Sequence, residues 1–206
     1  MINNYNWDKL VDRCQVYVDG SRRALRLFLQ EAEAELTRKV NIIESNISFV
    51  PYEGEYWYDL TGSSANNFKE MKAIFYKGHK LKRINEEELL LDNYNSSEFG
   101  TPEKYYLTSN VVSTLPNVRI YFDKIPPFQP VGFRMWYYAI AEPNEVGPQI
   151  PAPFHTDLCF YAIAQVSSKS NPDMFREYTS LWSQAVETIR VESADKDLIY
   201  NIKEEI

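Results

Sequence analysis

Glycine is scarce in this chain, with 7 among 206 residues. A loop that cradles phosphate needs glycines in close succession, so that backbone amides can approach the anion, and no such run exists. Histidine is scarcer still. His79 and His155 stand far apart, whereas a metal site needs a third ligand and tight spacing such as His-x3-His. Cys14 and Cys159 form no Cys-x-x-Cys pair, and no Gly-x-Ser-x-Gly occurs. Neither cysteine has a sequence neighbour of the kind that activates a nucleophile. Both lie in apolar helical patterns and are expected as buried free thiols, which fits a reducing compartment. No run of 18 apolar residues is present and the stretch Met1 to Asn6 is polar, so neither a membrane-spanning helix nor a signal peptide is expected. These gaps predict a protein with no catalytic residues, no cofactor and no metal.

What the chain does have is aromatic surface. Aromatics make up 15% of residues, with 15 tyrosines, against an ordinary 44% hydrophobic and 25% charged content. Tyrosine joins an apolar body to a polar tip, which suits half-buried sheets and protein interfaces alike. The formal net charge is −7, so a chain-wide basic surface for DNA or membrane is not expected.

The elements run helix, strand, helix. Trp7, Leu10, Val11, Cys14, Tyr17 and Val18 share one helical face, and Leu25, Leu29, Ala32, Leu36 and Ile43 share another. Gly20 and Ser21 lie between them as stop and N-cap, so residues 5–44 hold two helices or one kinked helix. From about 46 to 142 the runs become short, aromatic and β-branched: Tyr56–Leu60, Met71–Tyr76, Lys80–Ile84, Tyr105–Leu107, Val118–Phe122 and Phe133–Ala141. Pro51, Gly62–Ser64, Gly78, Gly100–Pro102 and Pro130 punctuate them. Lys77-Gly78-His79 reads as a hairpin tip. Asn85 with Glu88 three residues on reads as a capping box opening a short helix. Asn171-Pro172-Asp173 combines an Asx cap, a proline at the first helical position and an acid at the positive end of the helix dipole. Phe175, Tyr178, Trp182, Ala185 and Ile189 follow at helical spacing. After about 193 the composition turns charged and an extended tail is expected. The fold class is therefore α+β: a helical bundle from both chain ends carrying a central antiparallel β-rich insertion. One helical domain spans 1–194, with the insertion at about 46–142, and a charged C-terminal tail covers 195–206.

Charge clusters are the remaining feature. Lys69, Lys72, Lys77, Lys80, Lys82 and Arg83 fall within 15 residues that hold one acid, Glu70. Arg22 and Arg23, with Arg26 close by, form a second group. Such clusters can meet DNA phosphates or an acidic neighbour, although lysines on a sheet edge also serve to block aggregation. Glu86, Glu87, Glu88 and Asp92 follow at once. The basic hairpin of one copy can therefore meet the acidic helix of the next, a head-to-tail contact of the type that closes into rings. Glu31, Glu33 and Glu35 alternate along a helix and read mostly as a solvated face.

The order of these signals resembles the head-to-tail connector, or adaptor, proteins of tailed phages. An N-terminal helical pair precedes the strand Tyr56-Trp57-Tyr58-Asp59-Leu60. A lysine-rich hairpin ends in Leu81-Lys82-Arg83-Ile84 before the acidic turn Glu86–Glu88. Gly100-Thr101-Pro102-Glu103-Lys104-Tyr105-Tyr106-Leu107 comes next, then Val118-Arg119-Ile120-Tyr121-Phe122 leading into Ile125-Pro126-Pro127. The aromatic strand Phe133-Arg134-Met135-Trp136-Tyr137-Tyr138-Ala139, the Pro-led loop Ile150–Phe154, the helix Leu158–Ala164 and the helix with Phe175, Tyr178, Leu181 and Trp182 complete the pattern over residues 5–192. The resemblance, closest to podovirus or crAss-like phage types, implies a homo-oligomeric, dodecameric ring bound to the phage portal protein and to a downstream tail or second ring protein. DNA passes through its lumen without sequence-specific binding, and there is no membrane contact. It implies a virion protein assembled in the host bacterial cytoplasm. The interface would use Lys69, Lys72, Lys77, Lys80, Lys82, Arg83, Glu86, Glu87 and Glu88. Leu198, Ile199, Tyr200 and Ile202 of the tail would dock on the portal. The competing expectation is a nucleic-acid-binding accessory protein that uses the basic hairpin 69–83 and Tyr76.

Overall fold

Five helices and two antiparallel-rich sheets make up the residues that a computed structural model describes, 6–50, 54–60, 67–91, 98–110, 117–127 and 132–204. The protein is α+β, as the sequence pattern predicts. Pro51, Gly62–Ser64, Asp92 and Pro130 lie outside the described residues. The chain divides into two compact units, one of residues 1–43 with 139–206 and one of residues 44–138.

The first unit is helical. Helix α1 (Trp7–Gln15) is capped by Asn6, whose side chain accepts from the Lys9 amide, and buries Trp7, Leu10, Val11 and Cys14. Helix α2 (Arg22–Lys39) starts at the predicted Ser21 cap, and Leu25, Leu29, Ala32 and Leu36 are wholly buried along one face. The helix stops earlier than the apolar spacing suggests. Val40 is extended (φ −129°, ψ 144°), and Ile43 opens strand β1 (Ile43–Phe49) instead of closing the helix. The β-branched run Val40, Ile42, Ile43 disfavours helix, and the alternation that follows suits a half-buried strand. After a short 3-10 turn (Ala152–Phe154), helix α4 (Leu158–Ser167) packs against α1, α2 and α5, which explains why it is apolar nearly all round.

Helix α5 begins at Pro172, where the Asn171 side chain accepts from the Met174 amide, and buries Trp182, Val186 and Ile189. Its backbone stays helical through Glu204, which corrects the extended tail expected after 193. No glycine or proline interrupts residues 173–204. Glu192 and Lys196 also stand at the i, i+4 spacing that supports a helix.

The second unit is a sandwich of two four-stranded sheets. The first has the order β1-β8-β3-β4, with β3 at Phe68–Tyr76, β4 at His79–Lys80 and β8 at Phe133–Ala139. The second has the order β2-β7-β6-β5, with β2 at Trp57–Asp59, β5 at Lys82–Arg83, β6 at Lys104–Asn110 and β7 at Asn117–Phe122. Helix α3 (Glu86–Leu91) follows β5. Phe133 is the hub between the sheets. Its ring lies 4.2 Å from Phe122 of the second sheet, and 4.7 and 5.3 Å from Tyr76 and Phe49 of its own. Phe49 in turn stacks on Tyr58 at 4.1 Å. Each such pair adds roughly 0.5–1.5 kcal/mol beyond its area burial.

Two turns rest on glycine. Lys77 and Gly78, with φ of 51° and 83°, form the two-residue hairpin loop between Tyr76 and His79, and positive φ at both positions matches the right-handed twist of the flanking strands. A Cβ on Gly132 would lie 2.2 Å from the Phe49 carbonyl oxygen, so β8 can enter beside β1 only without a side chain there. The Gly100–Pro102 turn is pinned on its far side: the Gly100 amide donates to Ile125 O at 3.0 Å, and the amides of Glu103 and Lys104 both donate to Asp123 Oδ1.

Candidate interface surfaces

The basic run is divided between two sheets. Lys69 and Lys72 lie on β3, Lys77 at the turn and Lys80 on β4, all in the first sheet. Lys82 and Arg83 lie on β5, which pairs in parallel with β6 in the second sheet. The crossover is Leu81, buried between them, with its amide donating to Ile74 O at 2.8 Å. A buried apolar residue inside a polar run marks the place where the chain changes sheet. Lys72 is further committed, paired with Glu44 at 2.7 Å.

Lys77 instead joins residues distant in sequence. With Phe75, Gly78, Gly132, Arg134 and Trp136 it lines an open hollow of about 630 Å³ on the outer face of the first sheet. The Lys77 ammonium sits 5.3 Å from the Tyr76 ring and the Arg134 guanidinium 5.1 Å from the Trp136 ring. Among the described residues, neither cation has a carboxylate within ion-pair distance.

The acidic turn is formed as predicted. The Glu88 amide donates to Asn85 Oδ1 at 2.7 Å and the Asn85 amide donates to Glu88 Oε2 at 3.3 Å, a complete capping box. Arg83, Asn85, Glu86 and Glu88 share a second hollow of about 450 Å³ with Tyr106 and Leu107. Tyr106 stacks on Tyr121 at 4.7 Å, and Tyr56 lies 5.8 Å from Tyr121. Beside them the Arg119 guanidinium covers Trp57 at 4.9 Å while pairing with Asp59. Burial first, then the neighbouring Tyr121, Glu86 and Tyr56, pushes the Tyr106 phenol up to about 12.

Strand register shows which way these rings point. Tyr105, Leu107, Ile120 and Phe122 occupy the inward positions of β6 and β7. Tyr106 and Tyr121, paired across the ladder, alternate with them and face outward. Likewise Arg134 and Trp136 alternate with the buried Phe133 and Met135 on β8. The sandwich therefore shows aromatic rings on both outer faces, cationic on one side and beside an acidic turn on the other. Alternation within Phe133–Ala139 carried this signal in the sequence; the placing of Lys77 beside Arg134 is a long-range pairing that no local pattern encodes.

In the helical unit, Arg22 pairs with Asp8 and Asp12, and Arg26 with Glu145 at 2.6 Å. These arginines are consumed by structure. Glu33 is also not on a solvated face: it is 2% exposed, and one carboxylate oxygen accepts from the amides of Gln149 and Ile150. Burial raises its carboxyl above the ordinary glutamate range and the two amides oppose that rise. With Arg26, Gln30 and Thr37 it forms one stripe on α2 that fastens residues 141–150. Leu198, Ile199, Tyr200 and Ile202 lie on the last turns of α5.

The thiols of Cys14 and Cys159, 145 residues apart in sequence, meet in the core of this unit. Their mutual hydrogen bond, with burial second, holds the Cys14 thiol far above its ordinary range. His155 is buried, with Nε2 against Ile150 O at 2.8 Å, and His79 is exposed on β4. Among the described residues, no three His, Cys, Asp or Glu side chains converge to hold a metal ion, and no helix is long and apolar enough to cross a membrane. Neither protein-family models nor curated proteins match the chain.

Proposed function

We propose that the chain is a structural virion protein, not an enzyme. It forms a dodecameric ring between portal and tail of a tailed phage and provides a conduit for DNA. The helices of both chain ends act as a frame that carries the β-rich residues as an insertion. One observation supports this above the others: Trp57, Tyr106 and Tyr121 are arrayed on the outward face of a sheet whose inward face already has its own aromatic core. Tyrosine and tryptophan in that position supply contact area to a partner at low entropic cost. The end of α5, with Leu198, Ile199, Tyr200 and Ile202, is the portal-docking element.

The test is co-assembly. Purified chain mixed with the portal of its own phage should bind and give rings in negative-stain images. A variant ending at Ala194 should melt as the full chain does and lose portal binding. Failure of the full chain to bind portal at all would sink the proposal.

A second possibility, a nucleic-acid-binding accessory protein, is favoured by one observation: Lys77 and Arg134 flank Phe75 and Trp136 around an open hollow. Cations beside stacking rings suit single-stranded nucleic acid. Binding of a thymidine oligonucleotide that falls steeply with salt and is lost in Arg134→Glu would support it over the ring.

A further inference from the structure

The two outer faces of the sandwich differ in chemistry. Phe75 and Trp136 lie between two cations, Lys77 and Arg134, that have no acid partner among the described residues. On the opposite side, Tyr106 and Tyr121 lie beside a turn bearing Glu86, Glu87 and Glu88; Arg83 lines the same hollow, and Arg119 next to Tyr121 is already paired with Asp59. The positions are opposite because Phe122 and Phe133 stack between the sheets, while Tyr121 and Arg134, next to them in their strands, point away. In a chain with net charge −7, two cations that have no acid partner among the described residues and sit around two rings offer a complementary surface to an anionic one.

We infer that these faces are the two halves of one heterologous contact. The Lys77/Arg134 face of one copy packs on the Tyr106/Tyr121 face of the next, with the cations against Glu86 and Glu87 and with Arg134 over a tyrosine ring. This rests on the ring function proposed above and names the surfaces that build it. Faces on opposite sides of a unit cannot join two copies symmetrically, because each copy keeps one unused half. They propagate head to tail and close as a ring when the rotation per copy allows. Arginine on tyrosine and a cation beside a carboxylate also make the contact salt-sensitive. Lys82 and Arg83, assigned by sequence to the basic side, belong instead to the acidic half.

A charge swap tests it with the full chain. Lys77→Glu with Arg134→Glu leaves a copy acidic on both faces, and Glu86→Lys with Glu87→Lys leaves one basic on both. All four positions are exposed, and the capping residues Asn85 and Glu88 are untouched. By sedimentation velocity and native mass spectrometry, the wild-type chain should self-associate at high concentration and low salt. Each variant alone should associate about a hundredfold or more weakly, since like charges across an interface cost several kcal/mol. Mixing the two variants should restore association, with the copies alternating.

Association of either variant at wild-type strength, or no recovery on mixing, overturns the inference. A wild-type chain that stays monomeric at millimolar concentration also overturns it, because these faces would then have no affinity for each other. In each case, binding of the wild-type chain to portal still judges the ring proposal separately. If Lys77→Glu with Arg134→Glu leaves association intact and abolishes thymidine-oligonucleotide binding, the cationic face is a nucleic-acid surface and the inference fails.

Discussion

The helical unit and the β unit hold themselves together by different means. The helical unit buries aliphatic side chains at helical spacing, and its polar work is done by one stripe of α2 that fastens a loop. The β unit relies on a few large rings, with Phe133 in contact with three others. An aliphatic core spreads its stability over many small terms, whereas an aromatic hub concentrates it. Both units also carry partly exposed rings: Trp57, Tyr106 and Tyr121 on the β unit, and Tyr17, Phe160 and Tyr178 around the helices. What differs is the interior: helically spaced aliphatic residues dominate one core, and stacked rings centre the other.

Four changes would break or sharpen that contrast, and each unit reports on itself through its own tryptophans: Trp7 and Trp182 in the helical unit, Trp57 and Trp136 in the β unit. The largest effect is expected from Phe133→Ala, at about 3–5 kcal/mol, the usual cost of emptying a phenylalanine site. Urea denaturation followed at Trp57 and Trp136 should show the loss. A loss under 1 kcal/mol would mean that the hub is not a hub.

Next is Glu33→Leu, which strands the buried Ile150 amide and the part-buried Gln149 amide and should cost about 2–4 kcal/mol. Glu33→Gln keeps the accepting oxygen and should cost little or be stabilising. The pH dependence separates the two roles of the carboxyl. Its pKa is raised in the native state, so the ionised form costs stability above that value. The wild-type deficit relative to Glu33→Gln should be full at high pH, shrink as pH falls through the raised value and vanish below the ordinary glutamate value. A deficit that grows on acidification would reverse the assigned sign.

Smaller is Gly78→Ala in the hairpin loop, where φ of 83° should cost roughly 1–2 kcal/mol through backbone strain alone, since no atom lies within 4 Å of the added Cβ. It should move the β-unit transition and leave that of the helical unit in place. The smallest is Asn171→Ala, about 1 kcal/mol from the lost cap of α5, visible at Trp182. An unchanged midpoint would mean that the cap is dispensable in so long a helix.

Legibility in the sequence follows the range of the interactions. Ser21, Asn85 and Asn171 cap helices where their spacing predicts, because a cap is a contact over three residues. The Lys77-Gly78 loop is local in the same way. Strand β1 is not legible locally, and Ile43 fits the helical period as well, because a stretch with apolar residues at several spacings fits both periods until its sheet partner is known. The end of the chain is helical, not extended, because charge content says how soluble a segment is, not whether its backbone is helical. Glu33 could not be told from Glu31 and Glu35 by composition; only the arrival of residues 149 and 150 makes it a buried acceptor. The basic cluster was visible as charge but not as two groups in two sheets, since that division rests on the burial of Leu81.

The 33 residues of α5 have one more consequence. Among the residues whose burial is described, the last core residue of the helix is Ile189, and the backbone runs on for fifteen residues to Glu204, about 22 Å at 1.5 Å per residue. An extended tail would give a partner freedom of reach and rotation; a helix fixes both, like a keyed shaft. Removing two residues between Ile189 and Leu198 would turn the end by roughly 200° while shortening it by only about 3 Å. Phase, more than length, would then decide whether the end of α5 meets the portal it is proposed to dock on.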